Sequence, residues 1–190
     1  MLIIGASVSG GYLAPSPGEI LALKFTEPHQ IKQFTQNGTR GSQVLQRVKD
    51  VDFIDRSCII GIDFLFWDST AIKVNDSLVA LKKLIDRSEA QRIPLVLGDI
   101  PELFPTRQSN REMLNDALSH AQANHPYCRI LPLSDLLLKI VEDEQLIFRG
   151  KTLSLGDLLP DGLHLSPVAS EFLAEEIENA LLDVVRRNQD

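Results

Sequence analysis

Short apolar runs alternate along the chain with longer segments in which apolar residues recur at helical spacing. This alternation is typical of α/β proteins with a parallel sheet covered by helices on both faces. Several of the runs are apolar at consecutive positions, as expected of strands buried on both sides. The five predicted strands are residues 2–5 (LIIG), 20–25 (ILALKF), 57–63 (SCIIGID), 94–100 (PLVLGDI) and 128–133 (CRILPL).

Apolar stripes between and after these strands predict four helices that pack on the core. The first three stripes are Val44, Leu45 and Val48; Val74, Leu78, Leu81 and Ile85; and Met113, Leu114, Ala117, Leu118 and Ala121. The last helix is predicted to begin at Ser166 and Pro167, a capping residue followed by a proline suited to the first helical position. Its predicted buried side chains are Val168, Phe172, Ile177, Leu181 and Val185.

Two further segments interrupt the alternation of strands and helices. Residues 145–155 (QLIFRGKTLSL) predict two short strands around a turn at Gly150, which could form a wall or lid. Residues 15–19 (PSPGE) predict a turn-rich loop. The chain has 190 residues, which fits a single domain spanning residues 1–190.

Charge and cysteine content indicate which kinds of partner and cofactor are not expected for this protein. With 19 Lys and Arg against 26 Asp and Glu, the net charge is −7 and no basic block occurs, so neither nucleic acid nor a membrane surface is an expected partner. Cys58 and Cys128 lie in apolar runs and predict buried, reduced thiols, with no metal or other cofactor. The ligand is expected to be small or neutral.

The beginning of the chain shows no leader pattern. MLIIG lacks a basic segment followed by an apolar stretch and a small-residue cleavage site, so no signal peptide is predicted. No segment is long and apolar enough to span a membrane. We expect a cytoplasmic protein, although a chain from which a leader had been removed would show the same pattern.

Polar and glycine residues follow the predicted strands, where ligands bind in open α/β sheets. They are Ser7 and Ser9; Asn37, Gly38 and Gly41; Asp63 and Asp68; and, before the last helix, Asp161 and His164. A serine hydroxyl attacks a carbonyl only with a base, and a histidine base needs a carboxylate to hold its tautomer. Asp161 and His164 supply that pair in one short turn, and the N–H groups of Ser7 and Gly38 could bind the oxyanion.

The motifs GASVS (5–9), NGTRGS (37–42) and DGLHLSP (161–167) together resemble the SGNH/GDSL family of serine ester hydrolases. The resemblance runs from Ser7 to the last helix. It implies a three-layer, flavodoxin-like α/β/α fold and a catalytic triad of Ser7, His164 and Asp161, with oxyanion donors at Ser7 and Gly38. It also implies an ester or thioester substrate, from lipids to acetylated carbohydrates, hydrolysed through an acyl-serine intermediate.

The chain departs from the family pattern at two positions. Ala6 stands where the family usually has aspartate, which removes a polar side chain but not the nucleophile. Asp63 stands where the family has an asparagine as third oxyanion donor, and an ionised carboxylate there would repel the oxyanion. Either Asp63 is protonated, or another group donates, or the chemistry differs, or Trp67 and Asp68 occupy that position instead.

Other interpretations remain open at this point. Phe64, Trp67 and Asp68 follow the third predicted strand and could line a substrate pocket, although apolar residues there are more often core. Because of Asp63, a weakened relative that binds an acylated small molecule or carbohydrate is the alternative function. A phosphate-binding loop is disfavoured, because Gly11 and Tyr12 stand where that motif needs Lys and Ser or Thr. The oligomeric state is not predicted.

Overall fold

A computed structural model describes residues 1–188. Its central sheet has five parallel strands in the order β2-β1-β3-β4-β5, the flavodoxin-like order. The strands are β1 (Leu2–Gly5), β2 (Lys32–Thr35), β3 (Ile59–Gly61), β4 (Leu95–Gly98) and β5 (Cys128–Leu131). The predicted α/β fold with a five-stranded parallel sheet is confirmed.

Helices cover both faces of this sheet, which gives three layers. The helices are α1 (Pro17–Ala22), α2 (Gly41–Arg47), α3 (Asn75–Gln91), α4 (Gln108–Asn124), α5 (Leu133–Glu142), α6 (Leu155–Leu158) and α7 (Pro167–Arg187). On one face, α2, α3 and α4 pack on strand residues such as Leu2, Ile4 and Leu95. On the other face, α1 and α7 pack on alternate strand residues such as Ile60 and Val96. Successive side chains of each strand point to opposite faces of the sheet, so each strand contributes to two separate cores.

The second predicted strand is wrong. Residues 20–25 lie in α1 and the turn after it, and the real edge strand is β2 at Lys32–Thr35. The helix begins because the Ser16 side chain accepts the N–H of Glu19 and Pro17 occupies the first turn, so residues 15–19 contain a helix start as well as a loop. An edge strand has no partner on one side and stays partly exposed, which is why KQFT lacks a continuous apolar run.

The four predicted helices all occur, with two errors in their buried faces. Met113 and Val185 are exposed, whereas their neighbours Leu114 and Val184 are buried. Consecutive residues on a helix point about 100° apart, so only one of each adjacent apolar pair faces the core.

The predicted hairpin is confirmed as β6 (Leu146–Phe148) and β7 (Lys151–Leu153), which pair in antiparallel register around Arg149 and Gly150. Sequence reasoning did not identify α5 or α6, which flank it. Together with α5, α6 and the start of α7, the hairpin encloses a third apolar cluster that includes Phe148, Leu153 and Leu158. This cluster extends from the carboxyl edge of the sheet, where the predicted site residues lie. No helix within residues 1–188 combines the length and apolar character needed to cross a bilayer.

Both cysteines are buried, free thiols, and we expect neither to react in the folded protein. Burial raises the pKa of Cys58 to about 11 and that of Cys128 to about 12. Because the thiolate is the reactive form, Ellman's reagent at pH 8 should titrate no thiol in native protein and both in guanidinium chloride. Rapid release of one equivalent of thionitrobenzoate from native protein would contradict this burial.

Candidate active site

The turn after β1 is built on the carboxylate of Asp63, which follows β3. Asp63 Oδ1 accepts the N–H of Ala6 at 2.9 Å, the N–H of Ser9 at 3.3 Å and the hydroxyl of Ser9 at 2.6 Å, and Oδ2 accepts the N–H of Val8 at 2.8 Å. Three of the four N–H groups from Ala6 to Ser9 therefore bind one buried carboxylate. The N–H of Ser7 is the one left over.

Gly5 allows this turn to approach Asp63. Its φ is +147°, and a Cβ there would lie 2.4 Å from Asp63 Oδ1 and 2.5 Å from Ser9 Oγ. Any side chain at this position would displace the carboxylate that holds the turn. The glycine before the predicted nucleophile is thus required by close packing as well as by its backbone conformation.

The structure brings together the three residues that the sequence predicts as a triad. Ser7 Oγ lies 3.1 Å from His164 Nε2, although the two residues are 157 positions apart. On the other side of the ring, His164 Nδ1 lies 2.7 Å from Asp161 Oδ2. The Ser7 side chain is buried in the turn, whereas His164 and Asp161 lie in the loop before α7.

Asp161 orients the histidine through both of its oxygens. Oδ1 accepts the backbone N–H of His164 at 2.7 Å and that of Leu163 at 3.0 Å, while Oδ2 faces the ring. The backbone N–H of His164, then its ring, then the N–H of Leu163 lower the pKa of Asp161 to about 2. An ionised carboxylate can only accept, so Nδ1 carries the ring proton and Nε2 of the neutral ring is free to accept from the Ser7 hydroxyl.

Two backbone N–H groups, one after β1 and one after β2, are candidate oxyanion donors. Among residues 1–188, no group accepts a hydrogen bond from the N–H of Ser7 or of Gly38. Gly38 lies three residues beyond β2, the neighbour of β1, so both donors follow strands at the same edge of the sheet. Gly38 has φ +68°, and a Cβ there would have no neighbour within 4 Å, so the space around it is open.

The two aspartates considered for the third oxyanion donor both accept hydrogen bonds from the backbone. Asp63 accepts from the turn through both of its carboxyl oxygens, and its assignment to the oxyanion site stays a prediction. Asp68 is completely buried and accepts the N–H of Gly41 at 2.6 Å, at the start of α2. Burial raises the pKa of Asp68 above its usual value, but its carboxyl anchors α2 and does not reach the site.

An apolar cavity of about 90 Å³ opens beside Ser7. A water molecule needs roughly 10–15 Å³ of such a volume. The cavity therefore has room for a chain of several methylene-sized groups. Its walls come from the segments after β1, β3 and β4 and from α5, α6 and α7; they include Val8, Ile62, Phe66, Trp67, Phe104, Leu133, Leu136, Leu137, Ile140, Leu158, Leu159, Leu163, Leu165 and Phe172.

Of the three residues predicted to form a substrate pocket, Trp67 lines this cavity and the other two do not. Phe64 is 1% exposed and packs against Gly41 in the core on the α2 and α3 face of the sheet. Asp68 is likewise turned away from the cavity. The chain coils through a tight helical turn after β3, so neighbouring side chains point to different faces of the sheet.

Sequence reasoning missed two polar residues near the site. The exposed Tyr12 ring lies 4.7 Å from the His164 ring, centroid to centroid. Asp99 lines the cavity directly after β4. The rule that ligands bind beyond strand ends, applied to the fourth strand as to the others, would have found Asp99. Within the described chain, no group of three or more His, Cys, Asp or Glu side chains is placed to hold a metal ion.

No protein-family model and no curated protein matches the chain, but solved structures do. The psychrotrophic esterase EstA from Pseudoalteromonas sp., in a structure inhibited by monoethylphosphonate, superposes with a TM-score of 0.65 at 17% identity, over 97% of each chain. A GDSL-like lipase from Bacteroides thetaiotaomicron superposes with a TM-score of 0.62 at 12% identity, over 95% of this chain and 86% of the lipase. At such low identity the likeness establishes a shared fold.

Proposed function

This chain has the fold of GDSL-type esterases and lipases, and we propose that it is a serine hydrolase of carboxylic esters or thioesters. The observation that carries the proposal is the continuous hydrogen-bonded arrangement from Ser7 through His164 to Asp161. The base is within hydrogen-bond reach of the nucleophile on one side and of the orienting carboxylate on the other, which is the geometry that acyl transfer through a serine requires.

The proposed reaction begins with attack of Ser7 Oγ on the ester carbonyl carbon. His164 Nε2 takes the hydroxyl proton, and the ionised Asp161 stabilises the imidazolium that forms. The tetrahedral oxyanion accepts hydrogen bonds from the N–H groups of Ser7 and Gly38. Collapse breaks the bond to the alcohol or thiol, which leaves with the proton from His164, and Ser7 retains the acyl group.

Water then completes the cycle by the same steps. His164 takes a proton from water, the hydroxide attacks the acyl-serine, and the acid leaves as Ser7 recovers its proton. The N–H of Ser7 is held in place before any substrate binds, because Asp63 fixes the turn that carries it. Such preorganised donors lower the barrier without reorganisation during the reaction.

The alternative of a weakened binding protein depended on a carboxylate at the oxyanion position. Asp63 instead accepts hydrogen bonds from three N–H groups and one hydroxyl of the nucleophile turn. That arrangement supports hydrolysis over binding alone. The cytoplasmic location remains a separate proposal, on which hydrolysis does not depend.

Labelling with a fluorophosphonate probe tests the proposal directly. The probe phosphonylates a serine only when its hydroxyl is activated and accessible, so we expect stoichiometric labelling, with mass spectrometry placing the adduct on the peptide that contains Ser7. Prior unfolding should abolish labelling, because the base lies 157 residues away in sequence. Native protein that stays unlabelled, or labels on another serine, would refute the assigned nucleophile.

A further inference from the structure

The wall of the apolar cavity carries one carboxylate that the proposed reaction does not use. Asp99 follows β4 directly and lines the same cavity as Ser7. Apart from Ser7, Asp63 and Asp99, the residues around this cavity are apolar or aromatic. The carboxylate of Asp63 already accepts hydrogen bonds from the turn after β1. Asp99 is therefore the carboxylate in the cavity wall that can accept a further hydrogen bond.

The backbone partners of Asp99 account for only part of its capacity to accept hydrogen bonds. Oδ1 accepts the N–H of Ser134 at 2.9 Å at the start of α5, and the N–H of Leu133 also favours the ionised form. Burial outweighs these donors and raises the pKa of Asp99 to about 6. A carboxylate has about four acceptor positions, so two backbone donors leave about two positions open on a residue that lines the cavity.

Strand order gives the separation between Asp99 and the nucleophile. β1 neighbours β3, and β3 neighbours β4. Adjacent strands are about 4.8 Å apart, so the ends of β1 and β4 are about 10 Å apart along the edge of the sheet. Ser7 and Asp99 line the same cavity, so a chain bonded to Ser7 must span about this distance to reach Asp99.

We propose that the cavity binds the acyl chain of the ester and that Asp99 selects chains bearing a hydroxyl group several carbons from the carbonyl. The inference rests on the proposed ester hydrolysis and adds the substrate class. A hydroxyl would donate a charge-assisted hydrogen bond to Asp99, while the methylene groups contact the leucine-rich wall. A plain alkyl chain would fill the same space and leave the carboxylate without water and without that donor.

A hydroxyl suits this cavity better than an ammonium group. An ammonium would also pair with Asp99, but it would bring a second charge among apolar side chains, at the cost of desolvating both ions. A hydroxyl satisfies the open acceptor and stays neutral. Sites that hydrogen-bond a substrate hydroxyl discriminate strongly against analogues that lack it, because the protein group is then left unpaired.

The test compares two esters of equal chain length, p-nitrophenyl 6-hydroxyhexanoate and p-nitrophenyl hexanoate, at pH 7.5. We expect kcat/KM of the wild type to favour the hydroxylated ester by about tenfold or more. Asp99→Leu should reverse that preference while retaining hydrolysis of the plain ester. Asp99→Asn, which can still cap α5 through its amide oxygen, should reduce the preference and guards against misfolding of the leucine variant. Asp143→Asn, an exposed residue at the end of α5 and outside the cavity, should leave the ratio unchanged.

The outcomes separate this inference from the proposed function. If the wild type and both Asp99 variants hydrolyse the esters with the same ratio of kcat/KM between the two substrates, selection by Asp99 is overturned. The proposed ester hydrolysis would still stand. If neither ester is hydrolysed, hydrolysis itself fails, and calorimetry with 6-hydroxyhexanamide and hexanamide tests selection without turnover. Tighter binding of the hydroxylated amide by the wild type, lost in Asp99→Leu, would support selection by Asp99. Equal affinities of the wild type for the two amides would overturn that selection.

Discussion

Replacing Ser7 by alanine is expected to reduce kcat/KM for short p-nitrophenyl esters by at least about 10⁴-fold. The variant loses the oxygen that forms the acyl-serine, and loss of any one member of such a triad removes most of the catalysis because the members act as a unit. Residual binding and the two backbone donors would account for any remaining rate.

The fold should tolerate this change, which makes the result interpretable. The Ser7 hydroxyl contacts His164 and is not among the groups that bind Asp63. Ser88→Ala is a matched control, because Ser88 is also buried and its hydroxyl donates to the carbonyl of Ile93 far from the site. Ser88→Ala should retain wild-type kcat, whereas equal rates for the wild type and Ser7→Ala would exclude an acyl-serine route.

Replacing Asp63 by asparagine is expected to lower activity by about a hundredfold and to destabilise the fold by about 2 kcal/mol. If the asparagine oxygen takes the place of Oδ1, its amide nitrogen faces the N–H of Val8, so two donors oppose each other. The turn must then shift, and the N–H of Ser7 moves with it. Steady-state kinetics and thermal unfolding measure the two effects.

This variant distinguishes a structural carboxylate from one that repels the oxyanion. If Asp63 acted by repulsion, asparagine would raise activity, and such a gain would contradict the arrangement described above. Asp52→Asn is the matched control: Asp52 is buried, pairs with Lys32 and accepts the N–H of Lys49 at 2.8 Å, and it precedes β3 at the opposite end of the sheet. It should lower stability and leave kcat unchanged.

Local chemistry explains why part of the site could be predicted from sequence. Asp161 and His164 are three residues apart, and that spacing lets one carboxylate bind both the ring and the backbone of the same turn. Ser166 and Pro167 define the start of the following helix in the same local way. Such signals depend only on neighbouring residues, so they can be interpreted without knowing what packs around them.

Other features depend on contacts between distant segments. Nothing in the segment around Asp63 shows that its carboxylate binds the turn after β1, more than 50 residues away. The edge strand β2 has a weak hydrophobic pattern, because it has a partner strand on one side only. The pattern therefore favours the apolar run at residues 20–25, which lies in α1 and the turn after it. Asp99 likewise gains significance only when α5 and the leucines around it close the cavity.

The sequence by itself determined the alternation of strands and helices, the α/β class and the residues of the proposed triad, because hydrophobic period and short motifs are local properties of the chain. Only the tertiary structure decided that Ser7 and His164 meet, that Asp63 holds the nucleophile turn and that Asp99 faces an apolar cavity. The physical reason is that hydrogen bonding and burial depend on which segments pack together, and packing joins residues that sequence proximity does not.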